Sequence, residues 1–384
     1  MRAPKHLDEC LNILDLRALA RRRLPEPLFH YMEGAAETEF TAERNTSAFD
    51  RELLMPRVLV DVTSVSTSTR VLGQVLAWPV FCSPTGASRV FHPHGELAVA
   101  RAAAGSGTLY GLSTMSTVGL EEVAAAAAGP KMFQLYIFKD SGITRELIAR
   151  CKRTGYRALC LTVDAPVRGN RERELKVGMG IPIKLTGRML ASFAARPRWL
   201  LGQLRQGPMS MPNLASHAGG ASMVANTHFV SGQLDASVSW ADVGVLVNAW
   251  GGPFAIKGIV RAEDARRAAD VGASAVIVSN HGGRQLDGAV APIEVLPDIV
   301  DAVGDRVEVI LDGGVRRGVH VLKALARGAK ACSIGRPYLY GLAAGGERGV
   351  AKALEILRKE LITAMKLSGC TTLNQIDSSL LRRL

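Results

Sequence analysis

Between residues 78 and 337 eight short runs rich in Val, Ile, Leu and Ala recur, and amphipathic stretches with helical spacing separate them. The runs are 78–86, 107–114, 131–138, 158–164, 253–259, 275–280, 307–314 and 331–337. Such alternation predicts parallel strands joined by helical crossovers, because neighbouring parallel strands need a long connection. Eight of them close a barrel. The stretches 95–105, 143–155, 262–272 and 318–328 each end in a glycine, the residue expected just past a helix C-terminus. The expected fold class is therefore α/β: a single (β/α)8 TIM barrel spanning 78–345 within one domain of 384 residues. Residues 1–77 should cover its bottom or side with helices. A long irregular loop at 165–238 should follow the fourth strand, with a helix starting near Ser239 and Trp240, and 346–369 should form a closing helix ahead of the tail.

The six cysteines, Cys10, Cys82, Cys151, Cys160, Cys332 and Cys370, are scattered without a CxxC pair or a cysteine–histidine cluster, so no metal centre is expected. A reduced, cytoplasmic chain is the simplest reading. The first 27 residues carry charges throughout and lack the apolar core of a secretory signal. No apolar run approaches the ~18 residues of a membrane span. A net charge of +12 attracts polyanions. Nucleic acid is not an expected partner, since no binding module and no interleaving of basic with aromatic residues is present.

Polar and glycine residues gather at the C-terminal ends of the runs, where barrels keep their chemistry. The densest group is Ser279-Asn280-His281-Gly282-Gly283-Arg284-Gln285-Leu286-Asp287. A lone histidine at a strand end is usually structural. Here two glycines let the backbone turn sharply between His281 and Arg284, so one loop can present a base and a carboxylate-binding cation together. Asp312-Gly313-Gly314-Val315-Arg316 ends the seventh run and Gly335-Arg336 the eighth, a pairing suited to a phosphate. Lys257 stands in an apolar run, where it needs an anionic partner: either a structural salt bridge or a ligand. Asp164 either caps its loop or orients the histidine.

With SNHGGRQLD at 279–287 and LDGGVRRG at 311–318, the chain resembles the FMN-dependent L-2-hydroxy-acid oxidase and dehydrogenase family from Leu24 to Cys370. The resemblance implies bound FMN, with the ring held at Pro84, Thr85, Gly86, Ser113, Gln134, Thr162 and Lys257. It implies a phosphate among Asp312, Gly314, Arg316, Gly335 and Arg336, with Ser279 contributing from the adjacent strand. It assigns the carboxylate of a small L-2-hydroxy acid, lactate- or mandelate-like, to Arg171 and Arg284 with the Tyr31 hydroxyl, and the alcohol side to Tyr136. His281 would be the base and Asp164 would hold its ring. Family resemblance also suggests a homo-oligomer, a tetramer.

Two departures bear on substrate and acceptor. Met115 stands where glycolate oxidases carry tryptophan, which makes one pocket wall more pliable. Gly86 replaces the alanine of the oxidases and leans towards a dehydrogenase. Residues 181–205 mix large apolar side chains with exclusively basic charges between Lys184 and Arg205, as does a segment lying on an anionic membrane surface. The other reading of this segment is an active-site lid or a subunit contact. Electrons would pass to quinone from an enzyme peripheral on the inner face of the cell membrane. A soluble oxidase using oxygen stays open, as does another reaction on an FMN barrel.

Overall fold

The computed structural model describes residues 4–180, 186–217 and 223–384. All eight expected strands form: β1 (Val80–Cys82), β2 (Tyr110–Ser113), β3 (Lys131–Leu135), β4 (Ala158–Thr162), β5 (Phe254–Ile259), β6 (Ala275–Val278), β7 (Glu308–Asp312) and β8 (Ala331–Ile334). Each pairs in parallel with the next, and β8 pairs back onto β1 with Cys332 opposite Val80, closing the barrel.

Strand alternation sorts the side chains into two cores. Val80, Phe133, Leu159, Val276, Leu311 and Cys332 face outward and join the helices in one continuous buried cluster. Phe81, Met132, Cys160, Ala255, Ile277, Ile310 and Ala331 face inward and form a second cluster, the barrel's own interior. One step further along each strand the interior turns polar, with Ser83, Gln134, Thr162, Lys257, Ser279, Asp312 and Ser333 all buried. The apolar floor and polar top of the barrel thus follow from the period of two.

The N-terminal segment covers the barrel's side with helices and its bottom with a hairpin. The bottom of the barrel is closed by a β-hairpin, Thr69–Val71 with Gln74–Leu76, whose Val71, Leu72 and Leu76 join the interior cluster. The backbone N–H of Leu72 donates to Glu308 Oε2 at 2.7 Å. The helices Ile13–Arg23, Glu26–Glu33 and Phe40–Ser47 run instead along the side, and Glu26–Glu33 brings Tyr31 and Met32 to the opposite, C-terminal face.

Crossover helices form at Gly95–Gly105, Ser141–Arg153, Ala262–Asp270 and Gly318–Ala326. Gly155, Gly272 and Gly328 follow the last three in the left-handed conformation, as expected. For the first, that role falls to Gly107, two residues beyond Gly105. The helix at Trp240–Trp250 begins with Ser239 in a capping box with Asp242. The closing helix is longer than expected: Arg336–Leu367 kinks at Gly345 and Gly346, so its second half matches the expected segment.

Four helices interrupt the described part of 165–238, correcting the expectation of an irregular loop throughout. Helices occupy Glu172–Lys176, Gly187–Ala194, Pro197–Gln206 and Met223–Gln233. Thr186 caps the second by accepting from Met189 N at 3.2 Å, and Pro197 opens the third. Among the described residues no helix is long and apolar enough to cross a membrane.

Candidate active site

β5, β6 and β7 place Lys257, Ser279 and Asp312 at the same height in the barrel, and these three lock together. Lys257 Nζ lies 3.1 Å from Asp312 Oδ2 and donates to Ser279 Oγ at 2.9 Å. Ser279 Oγ in turn donates to Asp312 Oδ2 at 2.7 Å, while Ser83 and Ser333 donate to Oδ1 at 2.9 and 2.6 Å. Asp312 thereby fills all its acceptor positions, which is what makes a buried ion pair tolerable. Burial alone would push the lysine's pKa down. Asp312, then Asp164, reverse this and raise it, so the ammonium stays charged where it lines the cavity. The Asp312 carboxylate fixes Lys257 and Ser279 serves the same lock, while Asp312 also lines the cavity beside Gly314 and Arg316. Lys257 is salt-bridged and also lines the cavity.

Immediately beyond β6 the chain enters a loop with His281 at φ 57°, a left-handed conformation that non-glycine residues seldom adopt. A reciprocal pair of buried amides holds the loop there, with Asn45 and Asn280 exchanging hydrogen bonds of 2.8 and 2.7 Å. Asp287 fastens its far end by accepting from Thr38 N, Thr38 Oγ1 and Thr41 N. His281 Nδ1 meets Asp164 Oδ1 at 2.8 Å. With Nδ1–H given to the carboxylate, the ring presents Nε2 as its lone-pair nitrogen. Burial lowers the imidazole's pKa below its ordinary value; Asp164 opposes this, and Lys257 and Arg171 add to it. Burial would raise the Asp164 carboxyl, but His281 and Lys257 bring it below the usual range. The pair at rest is a neutral base beside an anionic carboxylate. Asp164 packs closely on Gly258, where a Cβ would stand 2.6 Å from its own Cβ and the φ of 110° suits only glycine.

Arg171 and Arg284 converge on the same cavity. Arg171 Nε donates to the Arg284 carbonyl at 3.0 Å and Nη2 to Gln285 Oε1 at 3.0 Å. Arg284 Nη1 donates to the carbonyls of Tyr31 and Gly34, and its guanidinium lies 5.4 Å from the Tyr31 ring centroid. Burial, then repulsion from Arg284, lowers the Arg171 pKa to about 10, which leaves it charged at neutral pH. Between them stands Glu174, fully buried, a residue not expected from sequence. Its carboxylate takes Arg284 Nη2 at 2.7 Å and Arg168 Nη2 at 2.7 Å, with Arg171 Nη1 at 3.8 Å. The only sequence signal was an acid three residues beyond Arg171, which also reads as an ordinary helical ion pair.

Tyr31 and Tyr136 line the cavity as expected, and burial, then Asp164, raises the Tyr136 phenol to about 12, keeping it a proton donor. Pro84, Thr85, Gly86, Ser113, Gln134 and Thr162 line the cavity, with Ser113 Oγ donating to Gln134 Oε1 at 2.9 Å. Gly313, Gly314, Arg316, Gly335 and Arg336 line the same cavity. A Cβ on Gly314 would stand 1.8 Å from the Asn45 carbonyl, so this loop closes only around a glycine. Arg336 serves the framework as well: it donates to the carbonyls of Met32, Gly34 and Gly282, tying the N-terminal segment to the histidine loop.

These groups fit a flavin nucleotide. The lining combines amide-like acceptors and donors and a buried cation, as a pyrimidine edge requires, with glycine loops and two arginines, as a phosphate requires. Above the cavity lies a second, apolar chamber of about 440 Å³ that shares Tyr31, Gly86, Met115, Tyr136, Arg171 and His281 with it.

Comparison with known proteins agrees. The family model for FMN-dependent dehydrogenase matches residues 20–383. An L-lactate oxidase from Nostoc sp. is 44% identical over 97% of this chain and 98% of its own length. A glycolate oxidase from Spinacia oleracea is 41% identical over 97% of this chain and 95% of its own. Among solved structures, the monotopic membrane protein (S)-mandelate dehydrogenase superposes with a TM-score of 0.95 at 37% identity, covering 98% of this chain and all of that one. The chain belongs to the FMN-dependent dehydrogenase family, and its chemistry is the FMN-dependent oxidation of a 2-hydroxy acid.

Proposed function

We propose that the protein oxidises an L-2-hydroxy acid to the 2-oxo acid with His281 as the base, and that membrane quinone takes the electrons. The observation that carries this reading is the meeting of a neutral, Asp164-held imidazole with the Arg171 and Arg284 guanidinium groups at one cavity mouth. Arg171 and Arg284 bind the substrate carboxylate, held apart and oriented by Glu174. Tyr136 and Tyr31 fix the carbinol and carboxylate ends with their hydroxyls. His281 Nε2 takes up one proton as the alcohol becomes a ketone, and Asp164 stabilises the imidazolium that results. FMN, when bound among Thr85, Gln134, Lys257, Arg316 and the Gly314 loop, supplies the two-electron acceptor that no side chain provides. The hand follows the named relatives, an L-lactate oxidase and an (S)-mandelate dehydrogenase.

Gly86 and the insertion support quinone over oxygen. Along Gly187–Ala194 and Pro197–Gln206, Met189, Phe193 and Trp199 face the apolar chamber, while Leu190, Leu201 and Leu204 are exposed beside Arg188, Arg198 and Arg205. One helix pair is thus the roof of the site and an outward apolar, basic face suited to anionic lipid. The expected membrane-facing segment starts at Ile181, and its first five residues, Ile181 to Leu185, lie outside the described residues. Anaerobic mixing with L- and D-2-hydroxy acids, followed by a soluble quinone or oxygen, tests the reading. The L-acid should bleach the flavin and quinone should restore its colour faster than oxygen. An undiminished bleaching rate in His281→Ala would remove histidine from its role.

A further inference from the structure

The two cavities divide the labour at their shared mouth. Among the described residues, only the barrel-side cavity brings Arg284 together with Arg171, Tyr31, Tyr136 and His281, so a 2-hydroxy acid seated on these groups has the largely apolar chamber beside it for its C2 substituent. That chamber is lined by Met115 from the barrel rim and by Met179, Met189, Met209, Met211 and Met223 from the insertion. Six of the chain's 11 methionines are gathered in this one wall. Methionine is unbranched and conformable, and suits a flexible apolar ligand better than it grips a small one. The aromatic rings of the wall are engaged with each other: Phe193 stacks on Trp199 at 5.3 Å and Tyr31 on Phe91 at 6.0 Å. Trp199 Nε1 is spent on the Val90 carbonyl.

Size decides among the acids. At roughly 30 Å³ per carbon, about the share of a water molecule in the liquid, a chamber of this volume holds on the order of a dozen carbons. The methyl group of lactate would leave it almost empty, glycolate has no substituent to place there, and a single phenyl ring fills about half. An apolar space left unfilled forfeits the transfer free energy that a longer chain would gain.

We propose that this methionine-lined chamber binds the substrate's side chain, and that the protein prefers 2-hydroxy acids carrying an unbranched aliphatic chain of about eight or more carbons beyond C2, which fills more of the chamber than a phenyl ring does, over glycolate, lactate or mandelate. The inference rests on the proposed function, and it sets the protein apart from its glycolate- and lactate-named relatives by substrate length.

The holoenzyme is tested by anaerobic flavin reduction with L-2-hydroxy acids of increasing length, from lactate to 2-hydroxydecanoate, and with L-mandelate. Reduction efficiency should rise about three- to fourfold per added methylene until the chamber is full. Val230→Trp, which intrudes from the helix Met223–Gln233, should cut the efficiency for 2-hydroxydecanoate at least tenfold and leave lactate within about twofold. Independently of that variant, unsubstituted fatty acids should inhibit the native enzyme more tightly from butanoate to octanoate. Lactate or glycolate matching 2-hydroxydecanoate, inhibition that ignores chain length, or mandelate outrunning every aliphatic acid would each overturn the assignment while leaving the oxidation itself standing. If no 2-hydroxy acid reduces the flavin, the proposed function falls and takes this inference with it.

Discussion

At the scale of single residues, the site works by placing charges where burial alone would remove them. Asp164 is the clearest case, since it stays anionic within the barrel rim and raises the His281 pKa against burial. The net position of that pKa is below the ordinary value of about 6.5. The imidazole is therefore neutral at pH 7, and kcat/KM should hold level there and fall as pH drops through the ring's pKa, where protonation removes the base. Asp164→Asn takes away the group that raises it, so the acid limb should move to lower pH while kcat falls about a hundredfold or more. A pH profile of flavin reduction in both proteins checks the two effects separately. Glu174 acts at one remove from the chemistry, holding Arg284 and Arg168 without touching substrate in this arrangement. Glu174→Gln should raise KM about tenfold, the worth of one charge-assisted hydrogen bond, and change kcat far less. Glu174→Asp should recover part of the loss, and a rise in KM that aspartate does not relieve would count against a positioning role.

Elements carry the second layer of specificity. The strands supply a polar ring, whereas the insertion helices line the apolar chamber proposed to take the substrate's side chain. The same two helices turn Leu190, Leu201 and Leu204 outward, at 56, 54 and 69% exposure. Their positions are held by Trp199 Nε1 on the Val90 carbonyl at 3.0 Å and Gln203 Nε2 on the Arg89 carbonyl at 2.6 Å, so changing the outer face need not disturb the inner one. Replacing the three leucines with aspartate should abolish sedimentation with anionic vesicles and leave anaerobic flavin reduction within about twofold. Sedimentation that persists in the triple variant would make the helix pair a lid alone.

Charge belongs to the whole molecule. A net +12 acts over the full surface, and long-range attraction to an anionic bilayer is screened over about 10 Å at 0.1 M salt. Vesicle binding should therefore weaken steeply between low and physiological ionic strength, with an apolar remainder from the leucines that salt does not remove. Binding indifferent to salt would assign it to the apolar face alone. The molecule is also stitched from end to end: Leu381–Arg383 pairs antiparallel with Glu52–Leu54, and Arg336 ties the start of the closing helix to the N-terminal segment. All six cysteines are buried and free, so no disulfide contributes to this stitching.

The amino-acid order by itself determined the barrel and the rim of its site. β-Branched runs of strand length, glycine stops and polar residues at strand ends are local signals, and each strand carries them without reference to any other. It also placed His281, Arg284, Lys257 and the glycine loops on one face, because all parallel strands end on the same side. Tertiary structure alone decided the partners. Asp312 turned out to hold Lys257 with its carboxylate, and Glu174 to join three arginines. The hairpin at 69–76 plugged the floor, and the stretch expected to be irregular folded into helices that roof an apolar chamber. Those outcomes depend on distances between residues far apart in the chain, and neither period nor propensity encodes such distances.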